Sequence, residues 1–257
     1  MHSSGRSIFN SAMIFAKEEL RQRLFDGVLG FSWLFLLPGL QLLVFYFVFV
    51  EMFQQRSGVT QNYLVFLALG FWPWLAFSET VLRGTALFLE KSAIAKKVRF
   101  SKLGMFFGVS LTTFAFHLVG FVCVLVLFLF FGVVDVSIYW LLLPLLWVLH
   151  FLFALCIGLI ASIVNVFIRD TTKFVGLVMT LWFFTTPIFY PASALPTATA
   201  GLQIFNPIAS VVQLNRIIVQ GGSLAESILP TIIVIFATSL LAAFVYGRTS
   251  VELEEFS

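Results

Sequence analysis

The chain has 257 residues, 60% hydrophobic and 11% charged, with a formal net charge of +3. A soluble domain carries about a quarter of its residues charged, and a water-soluble fold of this length has no interior large enough for so much apolar surface. The apolar residues also fall in uninterrupted blocks long enough to cross a hydrocarbon core, which takes about 20 helical residues; the bilayer is therefore the solvent, and the small positive balance is not a nucleic-acid footprint.

Before the first block, Phe9, Met13, Ala16, Leu20 and Leu24 recur at helical spacing opposite Lys17, Glu18, Arg21 and Gln22. That pattern predicts an amphipathic helix lying along a membrane surface, and residues 1–30 are read as an interface segment distinct from the spanning domain at 31–257. No short apolar stretch with a small-residue cleavage site opens the chain, so no removable signal peptide is expected. Candidate spans follow at 31–50, 63–82, 103–131, 138–168, 174–190 and 228–246, about six in all. The third and fourth exceed one crossing, which implies tilt or extension beyond the bilayer. Between the second and third, residues 86–100 mix Leu87, Leu89 and Ile94 with Glu90, Lys91, Lys96, Lys97 and Arg99, predicting a short cytoplasmic helix.

The stretch 191–227 contains apolar runs too short to cross. Asn206-Pro207 breaks it, because proline cannot continue a helix and restrains the residue before it. It reads as two short helices, re-entrant or lying on the outer leaflet, with a plain connecting loop as the alternative. Orientation follows from the basic residues: all except Arg56 and Arg216 fall on one side of this six-span arrangement. Cytoplasmic loops retain lysine and arginine, so both termini are expected in the cytoplasm.

Ionisable groups inside a membrane are costly, and only Glu79, His117 and His150 qualify. Glu79 precedes Arg83 by four residues, the favourable order for a helical ion pair. The two histidines have no metal-ligand spacing beside them and read as core or interfacial groups. Cys123 and Cys156 fall inside apolar blocks and read as small hydrophobes. Gly104 and Gly108 form G-x-x-x-G, and Ala154, Gly158 and Ser162 repeat at four-residue spacing; either set permits close helix packing, within the chain or between two copies. No phosphate-cradling G-x-x-x-x-G-K-[ST] loop, H-E-x-x-H or G-x-S-x-G is present.

Phenylalanine alone numbers 33. Trp182, Phe189 and Tyr190 are expected to share a face of the fifth span with Thr186. Gln41 falls near the middle of the first span on a face with Pro38 and Phe45. A lone glutamine there favours a protein interior or a watery path, because lipid leaves its amide unsatisfied. Aromatic faces beside polar groups can bind sugar rings, and plain helix packing is the competing reading.

Several motifs in order resemble one family. They begin with Arg21-Gln22-Arg23, Val28-Leu29-Gly30, Trp33 and Pro38, and continue with Gly70-Phe71-Trp72-Pro73-Trp74 and Lys96-Lys97-Val98-Arg99-Phe100. The most specific part is Asn165-Val166-Phe167-Ile168-Arg169-Asp170, then Trp182, Thr186-Pro187-Ile188, Tyr190 and Asn206-Pro207. Over nearly its whole length the chain is similar to the permease subunits of ABC-2-type exporters, particularly those for O-antigen and capsular polysaccharides. Ser101 departs from the pattern, since relatives commonly place proline there.

The resemblance implies an all-α half-transporter of a bacterial inner membrane, paired with a second copy and two separate ATP-binding cassette subunits, which would hold the ATP and Mg. This chain would bind no cofactor and catalyse no reaction itself. A lipid-linked glycan would pass through a path lined chiefly by the first, second and fifth spans, with 191–227 as an outer gate. Path candidates are then Gln41, Phe45, Trp74, Trp182, Thr186, Phe189 and Tyr190; lipid head-group candidates are Arg21, Arg23, Lys96, Lys97 and Arg99; ATPase contacts are Lys17, Glu90, Lys91 and Ser92. The alternatives are an ABC-2 permease for a drug or plain lipid, and, from a different class, a membrane-embedded lipid-modifying enzyme, for which no convergent acids, bases or metal ligands are seen.

Overall fold

The computed structural model describes residues 2–25, 30–52, 62–92, 99–195, 203, 206–221 and 228–255. Among the described residues the chain is helical, with no strand. We label the helices α1 (His2–Phe25), α2 (Trp33–Tyr46), α3 (Tyr63–Glu90), α4 (Lys102–Phe130), α5 (Leu143–Phe167), α6 (Thr171–Thr185), α7 (Pro207–Gln220) and α8 (Ile228–Glu255). A wider π-turn, Phe47–Met52, extends α2, and a 3-10 turn, Ile138–Leu142, leads into α5.

Among the described residues, five stretches are long and apolar enough to cross a membrane: Phe35–Met52, Tyr63–Glu90, Lys102–Phe130, Ile138–Phe167 and Ile232–Thr249. The expected fifth span differs from a simple crossing. α6 has 15 residues, about 22 Å at 1.5 Å per residue, short of a hydrocarbon core of about 30 Å. It stops because Pro187 cannot enter an α-helix and pushes Thr186 into extended backbone, with ψ of 135°. Residues 186–191 continue without helix, so Trp182, Thr186, Phe189 and Tyr190 do not share a helix face as expected.

α3 occupies the centre. Val65, Leu67, Leu69, Phe77 and Val81 are fully enclosed, and the helix is flanked by α4, α5, α6 and α7. Small residues set these distances. A Cβ on Gly84 of α3 would lie 3.5 Å from the Gly158 Cα of α5, and Ala154 and Ser162 on the same stripe are fully buried. The stripe is thus spent on packing within the chain, as is the G-x-x-x-G. A Cβ on Gly104 would fall 2.3 Å from the Ile8 carbonyl oxygen, and one on Gly108 would fall 2.2 Å from that of Ala12.

α1 therefore docks lengthwise on α4, rather than lying only on a membrane surface. Its predicted apolar residues Phe9, Met13 and Leu20 are exposed, as are Lys17, Glu18, Arg21 and Gln22. A third face, carrying Ser11 and Glu19, is buried against the bundle. Two-sided amphipathicity was legible in the sequence; this third face was not, because it is built from small and polar residues.

Residues 86–90, expected to open a separate cytoplasmic helix, are the last turns of α3, and residues 93–98 lie outside those described. Of the two short helices expected in 191–227, one is α7; residues 196–202, 204–205 and 222–227 lie outside those described.

Candidate functional site

The two ends of the bundle carry different chemistry. At the end bearing the α3 C-terminus and α4 N-terminus, ion pairs join three helices. Glu19 of α1 accepts from Arg23 Nε at 3.1 Å and from Arg83 Nη2 of α3 at 3.1 Å. Arg83 also pairs with Glu90. Arg23 reaches Glu79 at 2.7 Å and donates to Thr113 Oγ1 of α4 at 3.0 Å. Glu79 completes the chain by pairing with His117 of α4. The expected Glu79–Arg83 pair does not form: across two helices each finds a better-placed partner, which spacing along one helix cannot reveal.

The head-group candidates separate accordingly. Arg21 and Arg99 are exposed. Arg23 is engaged by two carboxylates and a hydroxyl, so it is committed to the fold, and Lys96 and Lys97 lie outside the described residues. Among the ATPase-contact candidates, Lys17 is exposed on α1, Glu90 is exposed although paired with Arg83, Lys91 is half-buried beside it, and Ser92 donates to the Leu89 carbonyl at 2.7 Å.

The opposite end is organised around two side chains. Asn206 caps α7 by accepting from the Ile208 and Ala209 amides, both at 3.2 Å. The same side chain accepts from Trp182 Nε1 at 2.9 Å and donates to Thr186 Oγ1 at 3.2 Å, joining the cap to the end of α6. Arg216, 4% exposed, donates to the carbonyls of Phe66, Pro187 and Ile188, and its guanidinium stacks 3.4 Å from the Phe66 ring centroid. Gly70 makes this approach possible, since a Cβ there would lie 2.8 Å from Arg216 Nη2. Sequence reading treated Arg216 only as an outer charge. The signal missed was its position on the apolar face of α7, in register with Val212 and Val219.

Between the two ends lies an aromatic cluster. Phe45 of α2 contacts Phe71 and Phe189, with ring centroids 5.4 and 4.8 Å away; Phe183 contacts Trp74 at 5.5 Å and Phe189 at 5.1 Å. The path candidates Phe45, Trp74 and Phe189 thus converge, but Trp74, Thr186 and Phe189 are buried within their own chain. Trp182 and Tyr190 are partly exposed, and the Tyr190 hydroxyl donates to the Phe184 carbonyl. Gln41 is exposed, outside this cluster.

The histidines differ. His117 hydrogen-bonds Glu79 at the end of the ion-pair chain, while His150 is enclosed by Phe77, Phe114 and Trp147. Asn165, 1% exposed, donates to the Thr85 carbonyl at 2.9 Å and accepts from Thr172 at 3.1 Å, so the turn from α5 to α6 is pinned to α3.

Comparison with known proteins matches residues 11–220 to the family described as ABC-2 type transporter. Similar chains include two proteins named O-antigen export system permease protein RfbA from Klebsiella pneumoniae. They are 28% and 27% identical over 221 residues, spanning 84% of this chain and 83% of theirs. A protein of the same name from Myxococcus xanthus is 29% identical over 197 residues, 76% of this chain and 74% of its own.

Proposed function

Because the chain belongs to the ABC-2 type transporter family, we propose that it is the membrane permease subunit of an ATP-driven exporter of lipid-linked cell-surface polysaccharide, of the O-antigen or capsule type. The observation that carries the cargo class is the similarity, over most of both chains, to proteins named as O-antigen export permeases. The chain carries no nucleotide-binding loop of its own, so ATP and Mg belong to two separate cassette subunits. Two copies of this chain form the membrane part, in a bacterial inner membrane with both termini in the cytoplasm, as the lopsided lysine and arginine distribution favours.

In this reading residues 1–30 are the interface segment, 31–257 the transmembrane domain and 191–227 the outer gate. The cassette subunits press on the end of the bundle that carries Lys17, Glu90, Lys91 and Ser92. Motion entering at Glu90 passes through Arg83 to Glu19, and from α1 through Arg23 to Glu79 and His117, a linkage supported by the ion pairs among these residues. The glycan slides past the partly exposed rings of Phe45 on α2, Trp182 on α6 and Tyr190 beyond it, whose broad faces tolerate successive sugar rings while holding none tightly.

Co-purification from the native membrane tests this. An ATPase subunit and a lipid-linked glycan are expected to accompany the chain. Recovery with an ATPase and a drug or unglycosylated lipid instead would overturn the cargo class.

A further inference from the structure

α7 is joined to the helices beneath it by polar contacts along its length, those of Arg216 and Asn215 buried. Arg216 reaches α3 through the Phe66 carbonyl and the broken segment after α6 through those of Pro187 and Ile188. At its N-terminus, Asn206 binds Trp182 and Thr186. Gln203 donates to the Thr185 carbonyl at 2.8 Å. Midway along, Asn215 accepts from Trp147 of α5 at 3.2 Å. The segment below is held as well, since the Tyr63 hydroxyl of α3 donates to the Phe189 carbonyl at 2.8 Å.

A helix that swung outward as a lid would break these bonds together. The Arg216 guanidinium would be stripped of its acceptors, and the Pro187 and Ile188 carbonyls, which the proline break denies a helical partner, would lose their donor. Leaving such groups unpaired away from water is costly. The contacts around α7 are therefore those of a fixed part, in contrast to the low-stability elements from which lids are drawn.

We propose that α7, α6 with the 186–191 segment, the Tyr63 end of α3 and the Trp147 end of α5 move as one block, and that the exit opens by displacement of that block, never by α7 lifting from it. Arg216 is the positioning residue of the block. This rests on the exporter reading above. It adds that the outer segment is a wall carried by the helices, not a hinged cover.

The test locks the residue that leads into α7 to the end of α6. In the full transporter with its partner subunits, Cys123 and Cys156 are replaced by alanine, and Thr185→Cys and Gln203→Cys are joined by a short, cleavable thiol cross-linker. The block predicts equal cross-link yield in nucleotide-free and nucleotide-bound states, and export by the locked transporter equal to that of its cleaved form. Export lost on locking and restored on cleavage would overturn the proposal, as would a yield that collapses in one state or an absence of cross-linking. If the uncross-linked parent exports no glycan, the exporter reading fails, while the yields in the two states still judge the block. Arg216→Lys supplies the second variant: a point-like ammonium cannot span acceptors on α3 and on the 186–191 segment as a guanidinium fork does. It is expected to be made at normal abundance with reduced cross-link yield, and an unchanged yield would remove Arg216 from its positioning role.

Discussion

Glu79 and Arg83 stand one turn apart on α3, in the order that suits a helical ion pair, yet each turns to another helix: Glu79 to Arg23 at 2.7 Å, Arg83 to Glu19 at 3.1 Å. Both partners lie on α1, so the N-terminal helix is fastened to the bundle by charge as well as by the close approach at Gly104 and Gly108. Glu19 is the hub, with its side chain 7% exposed between two guanidinium groups.

Glu19→Gln should lower stability by about 2 kcal/mol, the scale of hydrogen bonds to charged groups. Arg83 retains Glu90 and Arg23 retains Glu79, which keeps the loss from growing larger. Because Glu19 and Arg83 share one bond network, the double variant Glu19→Gln/Arg83→Gln should lose less than the sum of the single losses. Thermal unfolding of the purified chain in detergent measures all three; strictly additive losses would show that the contact carries no coupling.

A second pair concerns Ser101, where the family resemblance leads one to expect proline. Its hydroxyl caps α4 by accepting from the Gly104 amide at 3.1 Å, and its own amide donates to Ser11 Oγ of α1 at 2.9 Å. Proline suits the backbone, whose φ is −76° here, but it supplies neither bond. Ser101→Pro should cost about 1–2 kcal/mol. Ser11→Ala should cost about 1 kcal/mol alone and close to nothing when Ser101 is already proline. An undiminished Ser11→Ala effect in the Ser101→Pro background would refute this bond as the reason.

The structure separates two arginines that the sequence grouped together. Arg21 is exposed, whereas Arg23 is held by Glu19, Glu79 and Thr113. If Arg21 meets a phosphate-bearing head group, Arg21→Gln should reduce export at unchanged abundance, by the roughly 1 kcal/mol that one basic group contributes near an anionic surface. Arg23→Gln should instead lower thermal stability. Export unaffected by Arg21→Gln would leave that residue with a topological role alone.

What was legible in the sequence divides by range. Apolar block length is a local property, so the spans over α3, α4 and α5 were readable, whereas the fifth was read as one apolar block across the break that Pro187 makes. Asn206-Pro207 announced the start of α7 for the same reason: one residue supplies the cap and the next the first helical position. The ion-pair chain and the Arg216 clamp were not readable, because each joins residues distant in sequence, as with Arg216 and Phe66. The aromatic residues were found by composition, but which ring is buried depends on where α6 ends.

That distinction yields a test of the path. Phe189 is 4% exposed, and its ring stacks on Phe49 with centroids 4.7 Å apart. Phe189→Ala should therefore destabilise the protein by about 3–5 kcal/mol, as core truncations do, and reduce abundance. Tyr190 is partly exposed, and its hydroxyl bond to Phe184 lies at the surface. Tyr190→Leu should keep normal abundance and impair export if the ring stacks on sugar. Normal export by Tyr190→Leu would remove that residue from the path.

The most direct measurement is depletion of this chain in its own cells, with polysaccharide quantified separately at the cell surface and in the cytoplasm. An exporter permease predicts that surface glycan falls while lipid-linked glycan accumulates inside, and that both recover when the chain is restored. Surface glycan that stays constant through depletion, with no internal accumulation, would contradict it.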